Sequence, residues 1–286
     1  MSYRESETVQ HQRAKSDIAA ACARAGYSTR FEAIGDGWRA DVLAFPPAQP
    51  ETRLAFEVQW SPLTFEDTLM RQRRYSEAGV RGCWFFRTPP PKLQTGDPLR
   101  LRARRDLPLF KLLVNADGSF DVALNGRLHR LGAFVEALLR RQIRFCTTAR
   151  ASGGARVQFA FIPMTCTVCG RIAHIDQPDF RLTAACGALV QPPDVNALTF
   201  APAVRAAAEQ SARANGYRVK ALESGFACAY CGTPFAPQAV EIAVYGSGRS
   251  VNERRALEDT TEIALPAPMA SHLGHWCYPP DGNFCD

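Results

Sequence analysis

Long apolar runs are missing from this chain. No window approaches the ~20 consecutive apolar residues that a membrane-spanning helix needs. Hydrophobic residues still make up 46% of the 286 residues, enough for a packed core. The N-terminus also lacks an apolar stretch: residues 1–15 mix charges of both signs, which argues against a secretory signal and for a cytoplasmic protein. Lysine is scarce, so the formal charge of +6 rests overwhelmingly on arginine. Arginine can fork onto phosphate, but an excess of this size is compatible with a polyanionic partner without requiring one. No internal repeat is visible. Cysteine, by contrast, is plentiful: the chain has ten. In a cytoplasmic chain these are metal ligands or buried thiols rather than disulfides, because the cytosol keeps thiols reduced.

The length suits a core domain with one or two smaller attachments. Residues 5–26 read as a helix ended by glycine, and 27–45 as a hairpin turning at Gly35-Asp36-Gly37. After a proline-rich loop at 46–50, residues 53–60 form a third strand. Thr64-Phe65-Glu66-Asp67 has the form of a helix start, the helix runs to Gly79, and 81–87 form a fourth strand. The order is αβββαβ. Two short strands at 109–114 and 120–124 and a helix over 131–145, apolar at Leu131, Phe134, Val135, Leu138 and Leu139, extend the domain. The small, polar stretch 148–156 marks a boundary. A cysteine-bearing module over 157–236 and a tail over 237–286 with few large apolar residues follow it.

Glu7, His11 and Lys15 recur every four residues, and their stripe continues as Ala14, Ile18, Ala21, Cys22 and Ala25. The later residues turn toward a core, so the polar trio aims at the sheet; a solvated first turn with fortuitous spacing is the competing reading. In the strand Ala55-Phe56-Glu57-Val58-Gln59-Trp60, alternation sets Glu57 and Gln59 opposite Phe56, Val58 and Trp60. Asp41 stands in the neighbouring apolar strand. Two carboxylates brought together in a sheet repel unless a divalent cation or an arginine holds them. Mg²⁺ fits, since it accepts carboxylates, water and phosphate oxygens. Pairing of Glu57 or Asp41 with Arg71 or Arg39 is the structural alternative.

Over residues 6–144 the chain resembles the competence protein CoiA-like nucleases of the PD-(D/E)XK superfamily. The motifs are Glu7-His11-Lys15 on a helix, Arg39-Ala40-Asp41-Val42-Leu43, Glu57-Val58-Gln59-Trp60-Ser61, Arg71 with Tyr75, and Trp84 in the following strand. The resemblance implies a restriction-endonuclease-like α/β fold with a short β/α extension. It implies Asp41 and Glu57 as ligands of a catalytic Mg²⁺ or Mn²⁺, with Glu7, His11 and Lys15 completing the site. Gln59 stands where many members of the superfamily have lysine, so Lys15 is a candidate substitute. Arg71 and Tyr75, one helical turn apart, could position a phosphate or brace the sheet.

Cys166-Thr167-Val168-Cys169-Gly170 and Cys228-Ala229-Tyr230-Cys231-Gly232 are paired Cys-x2-Cys-Gly knuckles, the ligand set of a small zinc-ribbon module binding one structural Zn²⁺. The long separation between them calls for an insertion, including a helix near 202–215. A redox Cys-x2-Cys is the competing reading, and Cys186 and His174 are alternative ligands. His272, His275, Cys277 and Cys285 form a loose group of ligand types that is either a second zinc site or a packed end. Cys22, Cys83 and Cys146 read as core residues.

The expectation is a metal-dependent nuclease hydrolysing phosphodiester bonds, with DNA as partner, in competence, repair or defence. A catalytically inactive nucleic-acid-binding protein on the same fold, for which Gln59 speaks, is the alternative from another class. An RNA-directed nuclease is the third.

Overall fold

In the computed structural model, which describes residues 9–245, 256–265 and 267–286, the chain divides into two units. The first comprises the described residues up to Ala149 together with Ala185–Ala188 and His272–Asp286; the second comprises Arg150–Ala184 and the described part of Leu189–Ser271.

The first unit opens with helix α1 (Val9–Arg24), whose buried residues Ala14, Lys15, Ile18, Ala21 and Cys22 follow the helical period. Strands β1 (Ser28–Gly35) and β2 (Trp38–Phe45) form the expected antiparallel hairpin, and β3 (Arg53–Gln59) continues it. Helix α2 (Phe65–Glu77) begins where the Thr64 hydroxyl accepts the Asp67 N–H at 3.1 Å. It crosses over to β4 (Val80–Phe86), which lies parallel to β3, as a helical crossover allows and a tight hairpin would not. Then come β5 (Leu109–Val114), parallel to β4, and the antiparallel β6 (Phe120–Leu124) and β7 (Arg127–Arg130). The seven strands lie side by side in chain order.

Helix α3 (Leu131–Leu139) is shorter than its apolar pattern suggests. Arg141 adopts a left-handed φ of 59°, and the Gln142 N–H turns back to the Ala137 carbonyl at 2.8 Å, so the chain leaves the helix and enters β8 (Arg144–Cys146). One face of the sheet packs against α1 and α3 through Ile18, Phe56, Val58, Phe85, Phe110 and Phe134. The other packs against α2 through Tyr75, Trp84, Phe86 and Leu107. Burying each large apolar side chain stabilises the fold by roughly 1.5–3 kcal/mol.

The second unit begins within β9 (Ala149–Ala151) and is dominated by the long hairpin of β10 (Gly154–Thr165) and β11 (Ile172–Thr183). Strand β12 (Leu189–Val190), helices α4 (Val195–Thr199), α5 (Pro202–Ala214) and α6 (Pro237–Tyr245), and strands β13 (Ala256–Ala264) and β14 (Met269–Ser271) follow. Its sheet runs β12-β11-β10-β13. Residues 237–286, a single tail by composition, are thus divided: α6 and β13 belong here, whereas β15 (His275–Cys277) pairs with β8 in the first unit. No described helix is long and apolar enough to cross a membrane.

Candidate active site and cysteine clusters

The ladder between β2 and β3 ends at Val42↔Phe56. Beyond it the Asp41 carboxylate takes over as acceptor: its Oδ2 receives the Val58 N–H at 2.8 Å. The α1 side chains reach this point from their first turns. His11 Nε2 lies 3.5 Å from Asp41 Oδ2, its ring stacks on Trp60 with centroids 6.2 Å apart, and Lys15 Nζ lies 3.9 Å from Asp41 Oδ1. Lys15 is only 4% exposed, so this part of the polar stripe faces the sheet and not solvent. Burial alone would push the Asp41 pKa up. The adjoining His11, the Val58 amide and the charge of Lys15 outweigh it and hold the carboxyl below its ordinary value. Glu7, the first member of the trio, lies outside the described residues.

Glu57, 3% exposed, is held from α2. Arg71 Nη2 donates to its Oε2 at 2.9 Å, and the Tyr75 hydroxyl contacts its Oε1. Desolvation pushes its pKa up to about 7 against the pull of Arg71, and the nearby charges of Asp41 and Glu32 push the same way. The Arg71 guanidinium also stacks over the Trp84 ring at 5.1 Å, and its Nη1 lies 3.4 Å from Gln59 Oε1. Gln59 Nε2 donates to the Ser61 carbonyl at 2.7 Å. Arg71 and Tyr75 therefore brace Glu57 here. Trp84 is fixed in turn by a 2.8 Å hydrogen bond from its Nε1 to Gln72 Oε1. Gly82 makes room for that pair, because a Cβ there would fall 2.2 Å from the same oxygen.

A further carboxylate belongs to this constellation and has no counterpart in the sequence reading. Glu32 lies across from Asp41, between the ladder pairs Phe31↔Val42 and Ala33↔Ala40, with a left-handed φ of 50°. Strained non-glycine backbone of this kind concentrates at functional sites. Its carboxylate pairs with Lys15, and Arg39 Nε donates to it at 2.7 Å. In the sequence, Glu32 looks like any charged residue of a solvated edge strand; only knowing which residue faces Asp41 would have found it.

The donor set fits a hard divalent ion. Two carboxylates, one ionised and one destabilised by burial and by its neighbours' charge, are oxygen ligands that a cation would relieve. Among the described residues, however, the groups of three or more ligand atoms lying within 4.8 Å of one another are both built on cysteine.

The first is Cys166, Cys169, Cys228 and Cys231, in the second unit. Its two knuckles repeat one design: the Gly170 N–H donates to the Cys166 carbonyl at 2.9 Å and the Gly232 N–H to the Cys228 carbonyl at 2.8 Å. Both glycines have positive φ, 69° and 79°, which their position after the second cysteine requires. The sulfurs of Cys166 and Cys231 are 3.6 Å apart, those of Cys169 and Cys228 3.7 Å. The cluster can hold a metal. The intervening residues form β11, β12, α4 and α5, which includes the helix expected near 202–215. The His174 ring lies tilted against that of Tyr217, with centroids 4.6 Å apart, and is not in the ligand group, and Cys186 belongs to the other cluster. Burial pushes the thiols of Cys22 and Cys83 up, Cys22 to about 12, as expected of inert core residues.

No curated protein and no solved structure matches the chain. Residues 7–104, from just before α1 to just before β5, match the family model of the competence protein CoiA nuclease-like domain.

Proposed function

We propose that the chain is a metal-dependent nuclease of the PD-(D/E)XK type that hydrolyses phosphodiester bonds, with DNA as its substrate. The observation that supports this most is the convergence of His11 and Lys15 on Asp41 where β2 and β3 part, with the buried Glu57 near enough to feel the charge of Asp41, inside the residues that match the nuclease-like family. Asp41 and Glu57 would hold Mg²⁺ or Mn²⁺, which supplies Lewis acidity and a more acidic bound water. Lys15 brings positive charge to the scissile phosphate from α1. Gln59, a neutral amide that can donate and accept, orients a water or a phosphate oxygen. Arg71, whose side chain is 35% exposed, can give part of its fork to a phosphate while keeping Glu57 in place.

The Cys166, Cys169, Cys228 and Cys231 cluster is read as a structural zinc ribbon, because four thiolates close a tetrahedral site. At its second knuckle, Tyr230 is 40% exposed, with Arg171 and Arg218 over its ring at 5.2 and 5.6 Å. A cationic face with an aromatic platform suits a nucleic-acid strand.

The inactive binding-protein reading has one observation in its favour, the bracing of Glu57 by Arg71 and Tyr75. Cleavage of labelled single-stranded DNA, duplex DNA and RNA by the full chain, with Mg²⁺, with Mn²⁺ and with chelator, separates these readings. Metal-dependent DNA cleavage lost in Asp41→Ala is expected. Binding without cleavage under either metal would establish the inactive reading, and cleavage confined to RNA the third.

A further inference from the structure

The second cysteine-built group lies in the first unit, and three separate stretches of chain contribute to it. Strand alternation puts His275 and Cys277 on one face of β15 and sends Trp276 to the other, against Phe110 and Phe145 with ring centroids 5.8 and 5.4 Å apart. Cys285 returns to them after a turn in which the Gly282 N–H reaches the Pro279 carbonyl at 3.3 Å. Cys186 arrives on a short stretch anchored by Arg100, whose Nη1 donates to the Gly187 carbonyl at 2.6 Å. Cys186 Sγ lies 3.5 Å from His275 Nε2 and 3.5 Å from Cys285 Sγ, and Cys277 Sγ lies 3.6 Å from Cys285 Sγ.

We propose that Cys186, His275, Cys277 and Cys285 form a second, structural zinc site. The spacing is that of a shared ion: tetrahedral ligands at about 2.3 Å from zinc stand about 3.8 Å apart. A disulfide would bring two sulfurs to about 2.05 Å and leave the third thiol and the imidazole behind.

The imidazole is already set for coordination. The Leu273 carbonyl lies 2.8 Å from His275 Nδ1, so Nδ1 carries the proton and the Nε2 lone pair turns to the thiols. Burial removes the alternative that these are ordinary polar side chains in water, since Cys186, His275 and Cys277 are 2%, 3% and 0% exposed. Sulfur is a weak hydrogen-bonding partner for a buried imidazole, whereas a zinc ion satisfies all four groups together. Four protein ligands leave no open position, which marks the site as structural and not catalytic.

The place of the site gives it a role. Cys277 and Cys285 bracket residues 278–284, of which Tyr278 and Phe284 line a groove together with Arg127, Arg140 and Arg144. The Arg144 guanidinium sits 4.0 Å from the centre of the Phe284 ring. An ion between the brackets would fix this wall of an arginine-lined groove, and would fasten β15 to β8 at the end of the nuclease-like unit. Cys146, opposite His275 in that ladder, stays outside the ligand group.

The test is the metal content of full chain purified without chelators, read by elemental analysis and, after exchange into Co²⁺, by its visible spectrum. Wild type should carry two zinc ions per chain. Cys277→Ser and Cys186→Ser should each carry one, the Cys166→Ser/Cys228→Ser double variant should also carry one, and Cys146→Ser should keep both. His275→Cys preserves four ligands, so it should fold, keep two ions and move the Co²⁺ bands of this site toward an all-sulfur spectrum. A wild type with one ion that persists in Cys277→Ser but vanishes in the double variant would overturn the proposal. So would a His275→Cys spectrum identical to wild type, or a disulfide among the four residues in the intact mass after thiol alkylation.

Discussion

The Tyr75 hydroxyl contacts Glu57 Oε1 and at the same time lies 2.6 Å from the main-chain oxygen of Arg39. A hydroxyl has one hydrogen. If Tyr75 gives it to Arg39, the hydrogen between Tyr75 and Glu57 must come from the carboxyl, and a Glu57 pKa pushed up to about 7 makes a protonated carboxyl accessible near neutrality. The residue proposed to hold the catalytic ion is therefore in competition with a proton.

That competition sets a pH dependence. Glu57 titrates near 7 in the folded chain against an ordinary 4.5, so the folded state holds the extra proton between those values. The associated stability is complete below about 4.5 and is lost as pH rises through about 7. Glu57→Gln keeps the shape without the buried charge. In the presence of chelator it should match wild type near pH 4 and exceed its stability near pH 8 by on the order of 3 kcal/mol. Thermal unfolding across pH checks this. The same variant should cleave at least ~100-fold more slowly than wild type, since substitutions of groups that only support metal ligands already cost about 10–100-fold.

Tyr75→Phe separates positioning from chemistry. Once Glu57 is ionised the Tyr75 hydroxyl turns its hydrogen from Arg39 to the carboxylate, and in that arrangement it holds the Glu57 pKa down, so its removal should move the rising limb of the pH–rate profile to higher pH. Cleavage should fall roughly tenfold near pH 7 and recover toward pH 9. A loss of the same factor at every pH would mean that Tyr75 only supports the fold.

Gln59 is oriented by the Ser61 carbonyl and by Arg71. Gln59→Ala should slow single-turnover cleavage by a factor of up to ~100 and leave metal affinity unchanged, because it misplaces a group without removing a ligand. Gln59→Glu adds a carboxylate beside Arg71 and should alter the preference between Mg²⁺ and Mn²⁺. If Gln59→Ala equals wild type under both metals, Lys15 becomes the better candidate for that position.

In the second unit, Arg205 on α5 forks onto Asp176 on β11 at 2.7 and 2.8 Å, and the Asp176 side chain is 0% exposed. Asp176→Ala strands a buried guanidinium and should cost about 3–5 kcal/mol in urea unfolding. Asp176→Leu with Arg205→Met, which removes both charges, should recover most of that loss. A double variant as unstable as the single one would show that the pair itself stabilises the unit.

The sequence by itself determined most elements of the first unit and two of the three carboxylates, Asp41, Glu57 and Glu32, at the candidate site. The helical period marks α1 and α2, which each carry one apolar face, and alternation or short apolar runs between turn signals mark β1 to β6, of which β3 and β4 are buried on both faces. Asp41 and Glu57 stand out because a charge inside an apolar strand demands a partner. Paired Cys-x2-Cys-Gly knuckles announce themselves because their ligands are local. What only tertiary structure decided are relations between residues distant in the chain. Nothing in its own strand distinguishes Glu32, whose significance comes from lying across from Asp41. The short β7 and the early end of α3 depend on turns at Asn125 and Arg141, both non-glycine residues in left-handed conformation that no pattern announces. Cys186 is separated from Cys285 by 99 positions. A ligand set assembled by sheet pairing and loop closure has no spacing of its own, so only the fold could bring it together.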